Sequence, residues 1–388
     1  MDFRFFLPTR VECKAGLSDE TGSYLKQMGA KKALVVSDPG IIQAGLLERI
    51  EQSLNEHGIT YERYDEVEPN PSAESMMKGA EMQRRWQADV ILAVGGGSSI
   101  DTAKGISVMA TNEGNILDYE GVGNIPKPGV PLVAIPTTAG TGSEVTASTI
   151  VTNRETQFKA AVISPYLFPQ LALLDPLLTI KLPQPITAAT GMDALTHAIE
   201  SYTSKQASPV SQAFAITAIR LIGKNIMKAY YAGTDVESRE NMLVASMMAG
   251  AAFAQSRLGN VHAISHTLGG VFDIPHGIAN ATLLPFVMKF NLPACPERMK
   301  DIAEALGRST EGLTPPEAAE EAVAAVVELN RLLNIPGNIR ELGVKLDVLP
   351  KLVEDSMRSG NVLVNPRLTT AADIQTIIEN AYHGHLEG

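Results

Sequence analysis

Three short apolar runs in the first half of the chain constrain its fold more than any other feature. The runs occupy residues 32–37, 88–94 and 131–135. Each is apolar almost throughout rather than at alternate positions, which is typical of strands buried on both faces of a parallel sheet. Helical patterns lie between or beside them, at about residues 41–56, 73–87 and 98–111. The sequence therefore predicts βαβ units in a doubly wound sheet that binds its ligands at the carboxyl ends of the strands.

The pattern changes near residue 181. Ala, Leu and Met then dominate, apolar residues recur at helical spacing, as in residues 213–222, and few segments resemble strands. Pro183 and Pro185 mark a boundary, because proline discourages a helix from continuing through it. A length of 388 residues suits two domains. We expect an α/β domain over residues 1–182, with a Rossmann-like parallel sheet, followed by an all-helical domain over residues 183–388.

Charge and cysteine content exclude several classes of protein. The formal net charge is −11, which opposes binding to nucleic-acid phosphates. No stretch of 18 apolar residues is free of charges, and the N-terminus lacks the apolar core of a signal peptide, so we expect no membrane span. The only cysteines, Cys13 and Cys295, rule out a disulfide scaffold and fit a reducing cytoplasm.

A glycine-rich loop follows the second apolar run. Gly95, Gly96 and Gly97 lie between a predicted strand and a predicted helix, where free backbone N–H groups and the helix dipole favour a phosphate. Ile100 replaces the last glycine of the dinucleotide fingerprint, and no P-loop lysine follows. Ser98 and Asp101 have the spacing of a helix capping box. Phosphate binding and a simple turn both remain open.

Two further segments lie near the same predicted sheet edge. Residues 137–144 carry threonines and glycines after the third apolar run and either line a cofactor site or form a flexible turn. Asp38 ends the first run, where an acid can bind a ribose hydroxyl and reject a 2′-phosphate. The Asp-Pro-Gly sequence is also strong turn chemistry, and spacing alone favours the turn.

The helical half contains a set of metal-ligating residue types. Asp193 and His197 are four residues apart, as are His262 and His266, so each pair projects from one helix face. His276 follows in a His-Gly turn. A carboxylate with imidazoles suits zinc, iron, copper or nickel. The spacing leaves open which of the three later histidines is not a ligand, and Asp193 and His197 could be a simple hydrogen-bonded couple.

Taken in order, four strings give the chain a family resemblance. They are GGGSSIDTAK, TTAGTGSE, GMDALTHAIE and GNVHAISHTLGGVFDIPHG. The chain resembles the iron-containing (group III) alcohol dehydrogenases over nearly its whole length, and the combination of motifs is far more specific than any one of them. The resemblance implies a dehydroquinate-synthase-like α/β domain before the helical domain. It also implies homo-oligomers, at least dimers, and we expect residues 3–7 to form an edge strand open to pairing.

Site residues follow from the resemblance position by position. It implies that the metal ligands are Asp193, His197, His262 and His276, and that His266 lies near the nicotinamide. We expect His266 to be a catalytic proton relay, because a free imidazole exchanges protons near neutral pH. It assigns cofactor contacts to Asp38, Asn70, Gly95, Gly96, Gly97, Ser98, Asp101, Thr137, Thr138, Thr141 and Lys159. Phe253 and Ser148 are the expected pocket residues, and both Ser148 and Phe286 depart from residues common in relatives, which leaves the substrate open.

The implied activity is reversible hydride transfer between a short-chain primary alcohol or diol and NAD, with Fe²⁺, or Zn²⁺ as isolated, polarising the substrate oxygen. NAD is expected to be preferred over NADP. One alternative is a dehydroquinate-synthase-like lyase or a glycerol-dehydrogenase-like zinc enzyme on the same architecture. Another is a non-catalytic nucleotide- or metal-binding module.

Overall fold

The computed structural model describes residues 3–156 and 158–386, which form two compact units. The sheet unit comprises residues 7–138 and 142–181. The helical unit comprises residues 3–6, 139–141 and 182–386. Two short segments that the sequence placed with the sheet, residues 3–6 and 139–141, therefore pack with the helices.

The sheet unit has a parallel sheet at its centre. The strands of the described chain are β1 (Arg10–Cys13), β2 (Lys32–Val36), β3 (Thr60–Tyr64), β4 (Val90–Gly95), β5 (Gly121–Val122), β6 (Leu132–Pro136), β7 (Ser148–Asn153), β8 (Phe158–Ile163) and β9 (Leu171–Leu174). Six of them form one sheet in the order β1-β9-β6-β4-β2-β3, and every neighbouring pair is parallel. The α/β class expected from the sequence is confirmed.

The apolar runs become central strands because both of their faces are covered. Leu92 of β4 packs in one apolar cluster, whereas its neighbours Ile91 and Ala93 pack in another cluster. Every residue of β4 and β6 is buried. Alternating side chains thus enter opposite cores, which explains why these strands need apolar residues at every position.

The helices of the sheet unit are α1 (Thr21–Gln27), α2 (Pro39–Gln43), α3 (Glu48–Glu56), α4 (Ala73–Trp86) and α5 (Gly97–Met109). The expected single helix over residues 41–56 is wrong, because the chain forms the separate helices α2 and α3. Gly45 lies between them with φ +70°, a left-handed conformation that a continuous helix cannot contain.

Two other features differ from the sequence prediction. A second sheet, ordered β5-β8-β7, contains the antiparallel pair β7 and β8, whose short and partly exposed strands gave no clear apolar signal. The expected edge strand at residues 3–7 is wrong, since the first strand is β1. Within residues 3–6, the Phe6 backbone instead exchanges two hydrogen bonds with the Gln255 side chain.

The helical unit packs its helices around one large apolar cluster. They are α6 (Gln184–Thr203), α7 (Pro209–Tyr231), α8 (Val236–Ser256), α9 (Asn260–Phe272), α10 (His276–Asn291), α11 (Pro296–Ala305), α12 (Pro315–Leu332), α13 (Leu349–Met357) and α14 (Ala371–His383). Within the described residues, none of these helices combines the length and apolarity needed to cross a membrane.

Candidate metal centre and cofactor loops

Three helices of the helical unit bring four ligand-type side chains together. Helix α6 carries Asp193 and His197, α9 carries His262, and α10 begins at His276. One ligand atom from each residue lies within 4.8 Å of the other three. Asp193 Oδ1 is 3.9 Å from His197 Nε2, 4.0 Å from His262 Nε2 and 3.8 Å from His276 Nε2. We call these four residues the ligand cluster.

The amide of Asn280 lies against the same atoms. Its nitrogen Nδ2 is 2.6 Å from Asp193 Oδ1 and 3.0 Å from both His262 Nε2 and His276 Nε2. Its oxygen Oδ1 is buried and has no hydrogen-bond partner among the residues that the structure describes. An amide group has only two N–H donors, so it cannot satisfy three acceptors at once. This surplus of converging lone pairs in a buried place fits a divalent cation.

Contacts outside the cluster orient two of its imidazoles. His197 Nδ1 lies 3.2 Å from the carbonyl oxygen of Gly140, which can only accept, so Nε2 is the nitrogen left to bind a metal. Gly140 permits this approach because a Cβ there would lie 2.7 Å from Thr190 Cβ. His262 Nδ1 lies 2.5 Å from Glu200 Oε2.

Burial shifts the pKa values of the titratable groups in this centre. It raises the pKa of Asp193, which His197 and the Asn280 amide oppose by stabilising the carboxylate. It lowers the pKa of His262 well below its usual range, and the neighbouring imidazoles add to that effect. Burial also raises the pKa of Glu200 to about 8, against backbone N–H donors. A bound cation would oppose protonation of all three groups.

His266 and Phe253 flank the ligand cluster without belonging to it. The His266 ring stacks on that of His276, with centroids 5.0 Å apart, and meets the His262 ring edge-on at 5.8 Å. Among the described residues it is not part of the four-residue ligand group. The Phe253 ring stacks on His197 at 4.6 Å.

The glycine-rich loop joins β4 to α5 in the sheet unit. Gly96 is the N-cap of α5 and has no side chain to cap it, so the first N–H groups of the helix suit a ligand or water. A Cβ on Gly96 would lie 3.3 Å from Thr138 Oγ1, and one on Gly95 would lie 2.3 Å from Ser99 Oγ. Thr137 Oγ1 is buried without a partner in the described part of the chain. These features fit an anionic group at the start of α5.

Asp38 and Asp101 both make structural contacts in this region. Asp38 Oδ1 caps α2 by accepting from the backbone N–H groups of Gly40 and Ile41, and Oδ2 accepts from Ser99 Oγ at 3.1 Å. Both oxygens of Asp101 are bonded, one to Ser143 Oγ at 2.6 Å and one to the Ile150 N–H at 2.9 Å. The Asp101 carboxylate therefore links α5 to Ser143, between β6 and β7, and to Ile150 in β7.

The remaining expected cofactor and pocket residues spread over the two units. In the sheet unit, Lys159 Nζ donates to Asn70 Oδ1 at 2.8 Å, and Ser98 Oγ donates to the Pro69 carbonyl at 2.6 Å. Thr138 and Ser148 also lie in the sheet unit, whereas Thr141 belongs to the helical unit.

Sequence reasoning missed several residues that shape these sites. They are Gly140, Glu200, Asn280 and the fully buried Lys104, whose ammonium group donates to Ser143 Oγ, Thr146 Oγ1 and the Ser148 carbonyl. Burial lowers the pKa of Lys104 to about 8. Glu200 and Asn280 stand at helical spacing from His197 and His276, and that spacing was the available signal.

The two units thus define a class of protein. One unit has a parallel sheet with a helix N-terminus suited to a nucleotide phosphate, and the other has a cluster of metal-ligating side chains among helices. Family models match both parts: "Iron-containing alcohol dehydrogenase" over residues 8–176 and "Fe-containing alcohol dehydrogenase family, C-terminal" over residues 187–382. The chain belongs to the iron-containing alcohol dehydrogenase family and is an oxidoreductase of that type.

Named relatives resemble the chain over nearly its full length. It is 45% identical to 1,3-propanediol dehydrogenase of Citrobacter freundii, covering 93% of this chain and 94% of that one. It is 43% identical to NAD-dependent methanol dehydrogenase of Bacillus methanolicus, covering 97% and 99%. A crystal structure of 1,3-propanediol oxidoreductase superposes with a TM-score of 0.96 at 43% identity, covering 98% of this chain and all of that one.

Proposed function

We propose that the chain is an NAD-linked, metal-dependent alcohol dehydrogenase that interconverts short-chain primary alcohols or diols with their aldehydes. The observation that carries the proposal is the convergence of Asp193, His197, His262 and His276 around more lone pairs than Asn280 can satisfy. The names of the propanediol and methanol dehydrogenase relatives support the substrate class, and the latter name supports NAD.

Each group has a distinct part in this reaction. The four cluster residues hold the metal, which when bound supplies Lewis acidity to the substrate oxygen. Bound NAD would supply the hydride acceptor: the alcohol would lose its O–H proton and a hydride from its carbinol carbon, which would leave the aldehyde and NADH. His266 receives the proton, because its ring adjoins the ligand cluster and an imidazole nitrogen can accept a proton. Phe253, which stacks on His197, is a proposed substrate contact in the helical unit, and Ser148 is a proposed substrate contact in the sheet unit.

NAD binds at the start of α5 in this proposal. The N–H groups after Gly96 take the pyrophosphate, and Gly95, Gly97 and Ser98 complete the turn. The other proposed cofactor contacts are Asn70, Asp101, Thr137, Thr138, Thr141 and Lys159. Asp38 disfavours the 2′-phosphate of NADP by charge repulsion.

The proposal includes the metal, the assembly and the compartment. The metal is Fe²⁺, as the family name indicates, and the same donor set accepts Zn²⁺. We propose at least a homodimer, because Phe3 and Phe6 of the helical unit are 47% and 43% exposed, and β1 of the sheet unit lies at an edge of its sheet. We propose a cytoplasmic location, because a reducing compartment keeps thiols such as those of Cys13 and Cys295 reduced.

The test is alcohol-dependent NAD reduction by metal-stripped protein. The rate is measured before and after anaerobic addition of Fe²⁺, and separately Zn²⁺, with methanol, ethanol, 1-butanol and 1,3-propanediol. We expect activity to return only with metal. If no alcohol reacts despite stoichiometric metal and bound NAD, the proposal fails and a lyase on the same architecture becomes the better explanation.

A further inference from the structure

The buried carboxylate of Glu200 joins two ligand-bearing helices. Glu200 lies on α6, three residues after His197, and is 5% exposed. Its Oε1 accepts from the backbone N–H of Val261 at 2.7 Å, in the first turn of α9. Its Oε2 lies 2.5 Å from Nδ1 of His262 on the same helix. One side chain of α6 therefore contacts both the start of α9 and its ligand.

The surrounding contacts determine which way the His262 hydrogen bond runs. Asn280 Nδ2 faces both Asp193 Oδ1 and His262 Nε2. A carboxylate oxygen only accepts, so the Asn280 atom facing it is the donor nitrogen. This amide nitrogen cannot accept a proton from the ring, so a proton on His262 Nε2 would face a donor, and the proton of the neutral ring sits on Nδ1, pointing at Glu200.

The start of α9 is built around this carboxylate. Gly259 is the N-cap of α9, and a Cβ there would come within 2.9 Å of Glu200 Oε1 and 3.0 Å of Asn365 Oδ1. Because Gly259 has no side chain, it cannot accept hydrogen bonds from the free N–H groups at the start of this helix. Glu200 takes that place from a neighbouring helix, and a negative charge is favoured at a helix N-terminus.

We propose that Glu200 is a positioning residue for the metal centre: it accepts the Nδ1 proton of His262 while capping α9, and so keeps Nε2 unprotonated and turned toward Asp193. The inference rests on the metal site of the proposed function. Residues that accept from the second nitrogen of a ligating histidine commonly change metal affinity by about 10- to 100-fold when replaced.

The variant Glu200→Gln separates positioning from capping. The glutamine oxygen can still accept from Val261, but its amide nitrogen must face His262 Nδ1 and can only donate. The ring is then driven to the tautomer with the proton on Nε2, the atom that binds metal. We expect the dissociation constant for Zn²⁺ or Co²⁺, measured on apo protein by chelator competition, to rise about 10- to 100-fold.

Asp175→Asn is the matched control. Asp175 is also a fully buried capping carboxylate, but it lies in the sheet unit and accepts from the N–H groups of Gly16, Ser18 and Leu177 of that same unit. This change should lower stability and leave the Zn²⁺ dissociation constant within about twofold of wild type, because only a lost hydrogen bond is involved.

A measurement on the unaltered protein covers the case in which Glu200→Gln does not fold. In zinc-loaded protein labelled with ¹⁵N-histidine, the Nδ1 proton of His262 should resonate far downfield and exchange slowly with water. If Glu200→Gln binds metal as tightly as wild type, or if the His262 Nδ1 proton exchanges freely, this inference is wrong and the proposed function still stands. Wild-type protein that binds no divalent metal overturns both this inference and the proposed function.

Discussion

His262 and His266 lie one helical turn apart on α9 and meet the ligand cluster differently. His262 Nε2 is one of the converging atoms, whereas the His266 ring stacks on His276 beside them. We expect His262→Ala to lose metal and activity together. His266→Ala should keep its metal and reduce kcat by about 10²- to 10⁴-fold, the usual contribution of a proton-transfer group. Metal analysis and steady-state rates test both, and a His266→Ala protein without metal would contradict the assignment.

Asp38 combines a structural contact with a proposed role in cofactor choice. Asp38→Asn keeps an oxygen for the N–H groups of Gly40 and Ile41 but removes the charge. Charge repulsion at about 4 Å predicts that kcat/KM for NADP relative to NAD rises by roughly one to three powers of ten. Rates with both cofactors, beside a thermal melt, test this. An unchanged ratio would leave Asp38 with its capping role alone.

Glu144 is a buried acid that makes stability depend on pH. Burial raises its pKa from 4.5 to about 7, and Lys104 opposes part of that shift. Between pH 4.5 and pH 7 the Glu144 carboxyl is ionised in the unfolded chain but still protonated in the folded one. The free energy of unfolding therefore falls as pH rises through this range, by roughly 3 kcal/mol in total. Urea unfolding should show Glu144→Gln gaining on wild type between pH 5 and pH 8. A difference that does not vary with pH would contradict this account.

At the scale of elements, the turn from β4 into α5 contrasts two glycines. The φ of Gly95 is +153°, and a Cβ there would overlap the Ser99 side chain. A Cβ on Gly96 would lie 3.3 Å from the Thr138 hydroxyl, a much milder contact. We expect Gly95→Ala to lower stability by about 1–3 kcal/mol. Gly96→Ala should fold normally and bind NAD at least about tenfold more weakly, because its methyl group occupies the phosphate cradle. Unfolding curves and NAD titrations compare them, and equal NAD affinity in Gly96→Ala and wild type would place the pyrophosphate elsewhere.

Also at the scale of elements, the loop after β6 contacts helix α6, which its sequence did not indicate. Thr137 and Thr138 lie with the sheet unit, but Ala139–Thr141 pack in the helical unit, and the Gly140 carbonyl contacts His197. From its sequence, this run of glycines and threonines is a candidate for a single cofactor loop. The local sequence cannot indicate which distant helix the loop contacts. A short segment thus orients a residue of the metal centre.

At the scale of the whole molecule, the proposed metal ligands come from the three helices α6, α9 and α10, so metal binding should stabilise these helices together. Removing the metal should lower stability by about 2.7 kcal/mol relative to protein held at 100 times the dissociation constant. Hydrogen exchange should quicken in α6, α9 and α10, while β2 and β4, which carry no ligand, exchange as before. Exchange that quickens equally in every element would contradict a local metal centre.

The sequence by itself determined the parallel sheet and the helical second half. Strands buried on both faces must be apolar at every position, and residues such as Asp193 and His197 share a helix face at any spacing of four, so both signals are local. The helix break at Gly45 and the β7–β8 pair escaped detection because short, partly exposed elements leave weak patterns.

Only the tertiary structure decided which side chains meet. It brought His262 and His276 to Asp193 and His197 and left His266 beside them, a choice the spacing held open. It placed Glu200 against His262, 62 residues away, and Asn280 against Asp193, 87 residues away. Contacts over such separations depend on how helices cross, and helix crossing is set by the packing of whole faces rather than by any local run of residues.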